Sequence, residues 1–398
     1  MNRLEELIVE LCPNGVEYIT LNDICSVYDG THQTPEYTDS GVRFVSVENI
    51  NALYDTNKYI SVEAYEKYKI KPQKNDILMT RIGSIGTCAV VDRDEPLAYY
   101  VSLALLRPDL SKINSYYLKY VIESKQGRKE LRKRTLVNAV PIKVNMGDIG
   151  KIIIPVPPIK VQEEIVKILD NFTEKSYSLI NELEGEVSSR KKQYDYYTSY
   201  IMSSSTDTKQ LYLGDIGTVR MCKRIMKSQT NTEKGIPFYK IGTFGKEADA
   251  YISEDVFNDY REKYSYPKKG DILISCAGTI GRTVVFDGKP AYFQDSNIVW
   301  LDHDETIVTN RYLQYCYKKD PWKISTGGTI ARLYNDNILK AKIYVPPIEE
   351  QNRIVTLLEK CDRIFNDIIE KLSKEIEDRR KQYDYYRDQL LSFKQLSE

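Results

Sequence analysis

The sequence has few of the residues that metal sites and histidine-based catalysis require. Only two His occur among 398 residues, and none of the seven Cys forms a Cys-x-x-Cys pair. A zinc site or a Ser-His-Asp triad is therefore disfavoured, and we interpret the cysteines as reduced thiols. The formal net charge is zero, with 57 Lys plus Arg against 57 Asp plus Glu. This balance excludes a strongly basic nucleic-acid-binding arm, but it leaves open a local basic surface.

Long apolar runs and nucleotide-binding motifs are also missing. No run approaches the roughly 18 apolar residues of a membrane helix, and the first residues lack a signal-peptide pattern. We therefore expect a cytoplasmic protein without a membrane span. The sequence contains no GxxxxGKS/T, GxGxxG or GxSxG segment. We expect no cofactor, metal or catalytic residue in this chain, and interpretation as an enzyme is the least favoured.

The sequence does contain a repeat of itself. Arg190–Tyr197, RKKQYDYY, returns 189 residues later as Arg379–Tyr386, RRKQYDYY. Lys74–Leu78 matches Lys269–Leu273 at an offset of 195. Matching landmarks in one order along the chain predict a tandem duplication. Because the offset drifts early in each copy and is constant later, each copy should contain a globular part followed by a part that tolerates no insertion.

The constant part of each copy predicts a long helix. From Gln162 onward, and again from Gln351, apolar or Tyr residues, Tyr197 and Tyr386 among them, recur at gaps of 3, 4 or 7 and form one apolar stripe on each helix. Pro pairs at 157–158 and 346–347 stand just before these stretches, where Pro is tolerated. A helix of roughly 40 residues would be about 60 Å long and needs an equally long partner. We predict that the two helices pair as an antiparallel coiled coil.

The globular parts predict mixed α/β domains. Val42–Val47, Asp76–Thr80 and Cys88–Val91 are short β-rich runs, whereas Ser115–Ser124 and Asn310–Tyr317 are typical of short helices. The predicted fold class is α+β, with two mixed domains in tandem, separated by two long helices that form an antiparallel coiled coil. The predicted limits are 1–150 for the first domain, 151–205 for the first helix, 206–340 for the second domain and 341–398 for the second helix.

Three loop or surface patterns could carry a function. Asp29–Pro35, DGTHQTP, is loop-like, and His32 has no carboxylate or thiol companion by spacing. Gly83-Ser-Ile-Gly86 and Gly278-Thr-Ile-Gly281 favour tight turns, although a close approach to phosphate stays open. Basic residues crowd 125–134 and 220–227, either as solvated surface or as phosphate contacts.

Taken together, these patterns resemble the specificity subunits of Type I restriction-modification systems. The resemblance covers essentially the whole chain. It rests on Asp29–Pro35 followed by Gly41 and Phe44, on the paired Asp-Ile-Leu and Gly-x-Ile-Gly segments, and on the doubled Pro-Pro-Ile and long-helix blocks. Arg220–Met226 replaces the DGTHQTP loop in the second copy, so the two domains should read different sequences.

The resemblance implies two target-recognition domains, each reading one half of a split double-stranded DNA target. The helices would set the spacing and dock methyltransferase subunits, two of them by expectation. Restriction subunits would supply ATP-driven cleavage. S-adenosylmethionine, ATP and Mg would then bind to partner subunits.

Candidate DNA-binding residues are compact or forked hydrogen-bond donors in or beside loops, together with the basic clusters. The first domain contributes Thr31, His32, Gln33, Thr34, Arg43, Arg81 and Ser84 as base readers, with Arg132, Lys133 and Arg134 as phosphate contacts. The second domain contributes Arg220, Lys223, Arg224, Lys240, Arg282 and Arg332.

Two alternatives to this interpretation remain open at the level of sequence. One is the recognition subunit of a related restriction system whose partner fuses methyltransferase and nuclease. The other is a coiled-coil scaffold whose globular parts bind proteins instead of DNA.

Overall fold

The computed structural model describes residues 3–322 and 331–396, so 323–330, which fall within the predicted second domain, lie outside the described residues. The chain divides into two compact units. The first comprises residues up to Glu186 together with those from Leu372 onward, and the second is Val187–Lys371. Both long helices contribute to each unit.

The first unit is a mixed domain attached to helices. Its helices are α1 (Arg3–Leu11), α2 (Leu21–Ile24), α3 (Val62–Glu66), α4 (Ser115–Glu123), α5 (Lys125–Arg134), α6 (Met146–Ile149) and the beginning of α7 (Ile159–Met202). Its strands are β1 (Glu17–Thr20), β2 (Cys25–Asp29), β3 (Val42–Val45), β4 (Tyr59–Ile60), β5 (Ile77–Thr80), β6 (Cys88–Val90), β7 (Leu97–Tyr99), β8 (Leu103–Pro108), β9 (Thr135–Leu136), β10 (Lys143–Val144) and β11 (Ile153–Val156).

The second unit repeats this plan. Its strands are β12 (Lys209–Tyr212), β13 (Gly217–Arg220), β14 (Thr230–Asn231), β15 (Ile236–Tyr239), β16 (Tyr251–Ile252), β17 (Ile272–Ser275), β18 (Thr283–Val285), β19 (Tyr292–Phe293), β20 (Ile298–His303) and β21 (Lys342–Val345). Its helices are α8 (Leu213–Ile216), α9 (Glu254–Lys263), α10 (Asn310–Tyr317), α11 (Asn335–Leu339) and the beginning of α12 (Ile348–Leu390).

The main sheets of the two units correspond strand for strand. The main sheet has the order β2-β8-β5-β6 in the first unit and β13-β20-β17-β18 in the second, and it is antiparallel in both. A smaller sheet contains one parallel pair in each unit, β3 with β7 and β15 with β19. The central strands β5 and β17 are buried along their whole length. The duplication read from the sequence is therefore a duplication of architecture.

A buried glutamine fastens the start of each long helix to its domain. Gln162, fully buried, accepts a hydrogen bond from the Asn114 backbone N–H at 2.8 Å and donates to two backbone carbonyls at 2.9 and 2.7 Å. Gln351 repeats the arrangement with the Thr309 N–H at 2.9 Å and two carbonyls, both at 2.9 Å. Each side-chain amide thus satisfies backbone groups where helix and domain meet.

In the first unit, α7 and α12 run antiparallel. The Phe172 and Tyr383 rings stack with centroids 5.6 Å apart, and Thr173 hydrogen-bonds to the Tyr383 hydroxyl at 2.8 Å. Further along α7, Glu184 pairs with Arg380, which precedes Tyr383 on α12. As the residue numbers of the contacts rise along α7, those of their partners on α12 fall, which is the pattern of an antiparallel pair.

The second unit shows the same antiparallel pairing with different side chains. The Tyr194 ring stacks on Phe365 with centroids 4.4 Å apart, and its hydroxyl donates to Asp362. Just beyond the end of α7, Ser204 accepts a hydrogen bond from Arg353 at 3.1 Å. The predicted antiparallel helix pair is confirmed within each unit.

One position in each predicted apolar stripe is wrong. Tyr197 and Tyr386, assigned to the stripes, are 48% and 47% exposed, whereas Thr198 and Arg387 beside them are 5% and 6% exposed. A tyrosine hydroxyl allows the ring to remain half in water. Arg387 can be buried because its guanidinium is paired, including with Asp384 at 2.8 Å.

Candidate nucleic-acid interface

Three segments of the first unit meet at the side chain of Arg81. Arg81 follows β5 and is 6% exposed. Its guanidinium donates to both carboxylate oxygens of Asp29, at 3.0 and 3.1 Å, and to the Val144 carbonyl at 3.2 Å. Asp29 ends β2 and Val144 ends β10, so one arginine ties the DGTHQTP loop, the loop after β5 and the β9–β10 hairpin together. Its bonding here gives Arg81 the role of positioning these loops.

The interpretation that His32 has no carboxylate companion is wrong. Its Nε2 atom lies 3.0 Å from Asp29 Oδ2, three residues back along the chain, while its side chain is 71% exposed. The loop turns back on itself, which the linear spacing did not reveal. Asp29 therefore contacts both His32 and Arg81, and the backbone N–H of Thr31, two residues after Asp29, donates to the Tyr99 carbonyl at 3.2 Å.

The remaining loop residues stand at the rim of a polar cleft. Thr31, Gln33 and Thr34 line a cleft of about 680 Å³ together with Lys67 and Tyr68. Gln33 and Thr34 are exposed, and the Gln33 backbone N–H is held by the Thr31 hydroxyl at 3.3 Å. The hydrogen bond fixes the backbone of the loop, and the side-chain amide of Gln33 is left facing solvent. An exposed amide of this kind can form two hydrogen bonds with the edge of an adenine.

The Gly-x-Ile-Gly segments are tight turns, as favoured from the sequence. Gly83 and Gly86 have φ of 79° and 87°, and Gly278 and Gly281 have φ of 66° and 79°, values that favour glycine. Ser84 is exposed at the first turn.

Arg43 is less available than its loop position suggested. It lies on β3, partly buried, and forms an ion pair with Glu95. Its guanidinium carbon also lies 5.8 Å from the centre of the Tyr59 ring. Binding to a base would require Arg43 to exchange these partners.

The basic cluster of the first unit forms the end of α5. Arg132 is exposed, and its side chain has no hydrogen-bond or ion-pair partner among the described residues. Lys133 and Arg134 both pair with Glu130, and Arg134 also donates to the Lys151 carbonyl at 2.6 Å. Burial favours a raised pKa for Glu130, but the hydrogen bonds from Lys133 and Arg134 outweigh it and lower that pKa. Arg132 is therefore the most available cation of the three.

In the second unit, a cleft of about 700 Å³ brings three predicted residues together. Arg224, Lys240 and Arg332 all line it. Arg224 pairs with Asp295 at 3.0 Å, Lys240 with an aspartate at 2.8 Å, and Arg332 donates to the Ser296 carbonyl at 2.7 Å. The cleft is thus lined by fixed guanidinium and ammonium groups, whose remaining N–H groups can serve a ligand.

The other three predicted residues of this unit do not line that cleft. Arg220 is exposed on β13 and lies 3.6 Å from Asp302. Lys223 is exposed, with its ammonium 5.1 Å from the centre of the Tyr264 ring. Arg282 is exposed and donates to a backbone carbonyl at 2.9 Å.

Sequence reasoning missed the groups that position these side chains. Asp29 and Asp295 hold predicted residues in place, and Gln294 lies in the second cleft, where its side chain accepts a bond from the Ile241 N–H at 2.9 Å. Asp29 could have been noticed, because it opens the DGTHQTP loop. Asp295 and Gln294 had no comparable signal, since they lie about 70 and 50 residues from the groups they hold.

Residues 3–322 and 331–396 contain no group of three or more His, Cys, Asp or Glu side chains that could hold a metal ion. None of the helices in those ranges has the length and apolar character needed to cross a membrane.

The family described as "Type I restriction modification DNA specificity domain" matches residues 13–189 and again residues 206–378. A putative type I restriction enzyme specificity subunit of Haemophilus influenzae, S.HindORF215P, is 53% identical over 255 residues, which are 63% of this chain and 66% of that protein. The EcoR124I/EcoR124II specificity subunit of Escherichia coli is 30% identical over 268 residues, 61% of this chain and 63% of that protein. The matched stretches thus span just under two thirds of these two relatives.

More distant relatives match over nearly the full length. The putative MjaX specificity subunit of Methanocaldococcus jannaschii is 25% identical over 395 residues, 92% of this chain and 90% of that protein. A solved chain of a type I R-M system has a TM-score of 0.77 at 15% identity, covering 95% of this chain and 98% of that one. The HsdS subunit of Thermoanaerobacter tengcongensis has a TM-score of 0.51 at 15% identity, covering 96% of each chain. At this identity the two structures show a shared fold. The chain belongs to the type I restriction modification DNA specificity domain family, with two copies of the domain in tandem.

Proposed function

We propose that this chain is the DNA-recognition subunit of a type I restriction-modification complex, in which each domain reads one half of a bipartite double-stranded target. The observation that carries the proposal is the repeated attachment of a mixed domain to a long helix through the same buried glutamine, Gln162 and Gln351. Two equivalent readers on paired helices suit a target of two separated parts.

The energetics of recognition favour such a pair of readers. A domain that reads three or four base pairs discriminates by roughly 1–3 kcal/mol for each mismatched pair. Joining two such domains makes the second binding event intramolecular. The joined domains then bind DNA more tightly than either domain alone, although no contact is added. A stiff helix pair would also fix the spacing between the half-sites, which a flexible linker would not.

The candidate residues fall into two groups by their surroundings. Exposed groups that are free to meet bases or phosphates are best represented by Gln33, Thr34, Ser84, Arg132 and Lys223. The arginines of the second group already form ion pairs or hydrogen bonds within this chain and would mainly hold loops in place. They are Arg43, Arg81, Arg134, Arg224 and Arg332.

We assign the chemistry of the complex to partner chains. Methyltransferase subunits, two by expectation, would dock on the helices and bind S-adenosylmethionine. Restriction subunits would bind ATP and Mg. This chain would then contribute binding and orientation and no catalytic residue. Because such a complex acts on cellular DNA, we expect it in the cytoplasm.

Methylome sequencing of cells with and without this gene tests the proposal. One split adenine motif should lose its methylation when the gene is removed and regain it when the gene is restored. An unchanged methylome in cells whose methyltransferase gene is intact would contradict the proposal.

A further inference from the structure

The β9–β10 hairpin of the first unit ends in an exposed apolar tip. Val137 is 63% exposed, Val140 is fully exposed at 101%, and Ile142 is 40% exposed. The hairpin is a two-stranded ribbon, with Lys143 paired to Leu136 and Val144 to Thr135. These exposed apolar side chains are grouped at one turn, and an exposed apolar patch with a polar border can mark a binding surface.

The hairpin is fixed to the same loops that carry the candidate base readers. The Gly83 N–H donates to the Ile142 carbonyl at 2.9 Å, and Ile82 forms an antiparallel bridge with Lys143. The backbone carbonyl of Arg81 accepts a hydrogen bond from the Val144 N–H at 2.9 Å, and the Arg81 guanidinium donates to the Val144 carbonyl at 3.2 Å. The base of the hairpin is therefore bonded to the loop that carries Ser84 and to the side chain of Arg81.

The charges around the tip favour a polyanion over an apolar protein surface. Arg132, at the end of the helix that leads into the hairpin, and Lys143, on its second strand, are both exposed. The carboxylates nearest to them in sequence are already paired, Glu130 with Lys133 and Arg134, and Asp148 with Lys151. An apolar tip bordered by free cations matches a groove of duplex DNA, where phosphates border the base edges.

We propose that the tip of this hairpin enters the major groove of the first half-site, where Val137 and Val140 make apolar contact with base edges. The major groove admits a two-stranded β-ribbon, and thymine methyl groups supply its apolar contacts. The proposal rests on the DNA-recognition function above and adds a specificity element at whose tip two valines flank the exposed Asn138. The corresponding stretch of the second unit includes 323–330, outside the described residues, so the proposal concerns the first unit alone.

The test uses the full-length chain co-expressed with the methyltransferase of its system. Binding is measured to a 30-base-pair duplex that carries the motif methylated in cells and to a scrambled duplex, over a range of salt concentrations. The double variant Val137→Ser/Val140→Ser should bind the motif duplex about tenfold more weakly, with little change on the scrambled duplex. The slope of log affinity against log salt should stay unchanged, because no charge is removed.

A matched control is Val9→Ser, which alters an equally exposed valine, 62% exposed on α1, and should leave binding unchanged. Unchanged motif binding by the double variant would overturn the proposal, as would equal weakening on both duplexes. Loss of the methyltransferase from the purified complex would identify the tip as a protein-docking element and would also overturn it. If the unaltered complex fails to distinguish the two duplexes, the DNA-recognition function itself fails.

Discussion

Single side chains show where the sequence is informative about the site and where it is not. The DGTHQTP loop, beginning at Asp29, could be located from its composition, because Gly, Asp and Pro mark turns wherever they occur. The ion pair between Asp29 and Arg81 could not, since it joins residues 52 apart whose meeting depends on the pairing of β2, β8 and β5. The sequence predicts Arg81 as a base reader, but it does not reveal that the side chain is bonded to Asp29 and only 6% exposed.

The Asp29–Arg81 pair gives the first prediction. Arg81→Ala and Asp29→Asn should each relax recognition of the first half of the methylated motif and leave the second half intact, because the loops they hold belong to one unit. The double variant should be little worse than either single variant, since the two side chains act together. Methylome sequencing of cells that carry each variant provides the measurement. Additive effects, or a change in the other half, would contradict the positioning role.

The second prediction ranks the cations at the end of α5. Arg132→Ala should reduce the slope of log affinity against log salt by about 0.9, the value expected for one lost phosphate contact. Lys133→Ala and Arg134→Ala should reduce it less, because both side chains already share an ion pair with Glu130. DNA-binding titrations at several salt concentrations measure the slopes. Equal effects for all three variants would show that the ion pairs with Glu130 open on binding.

Among the elements, the long helices were the most predictable and the loops the least. Periodicity over some 40 residues and a preceding Pro pair sufficed to predict α7 and α12. Periodicity alone treated Tyr197 as apolar, although its ring is half exposed. The hairpin tip at Val140 went unnoticed, because a short apolar run in a sequence does not tell whether it faces a core or solvent.

The glutamines that begin the helices give a third prediction. Gln162→Leu should leave three backbone groups without partners, at about 1–3 kcal/mol for each group. The Asn114 amide should lose hydrogen-exchange protection in this variant, while the Thr309 amide keeps it. Gln351→Leu is the matched control and should show the reverse. If either variant loses hydrogen-exchange protection at both amides, the two units do not unfold separately.

A fourth prediction concerns the helices as a ruler. Inserting four residues after Gly185 in α7 and four after Ser373 in α12 lengthens each helix by about 6 Å and rotates it by about 40°. Both helices are altered so that each keeps a partner of equal length. The methylated motif should keep both halves and change its spacer length, or methylation should be lost. A motif with its original spacer at full methylation would refute the role of the helices as a ruler.

At the scale of the whole molecule, duplication was the feature that the sequence revealed most fully. Landmarks at offsets of 189 and 195 predicted two copies, and the strand orders of the two main sheets agree. What differs between the copies is the surface at the loops, where neutral polar groups of the first unit are replaced by basic groups in the second. The sequence therefore predicts that the two readers differ, although it does not give the bases that each one reads.

Exchanging one domain tests the central claim most directly. Residues 1–150 are replaced by the corresponding residues of a relative that methylates a different motif, and the methylome of the host is sequenced. We predict that one half of the motif changes to that of the relative, while the other half and the spacer length stay as they were, because base contacts are local to each domain. A motif changed in both halves, or not changed at all, would contradict the account.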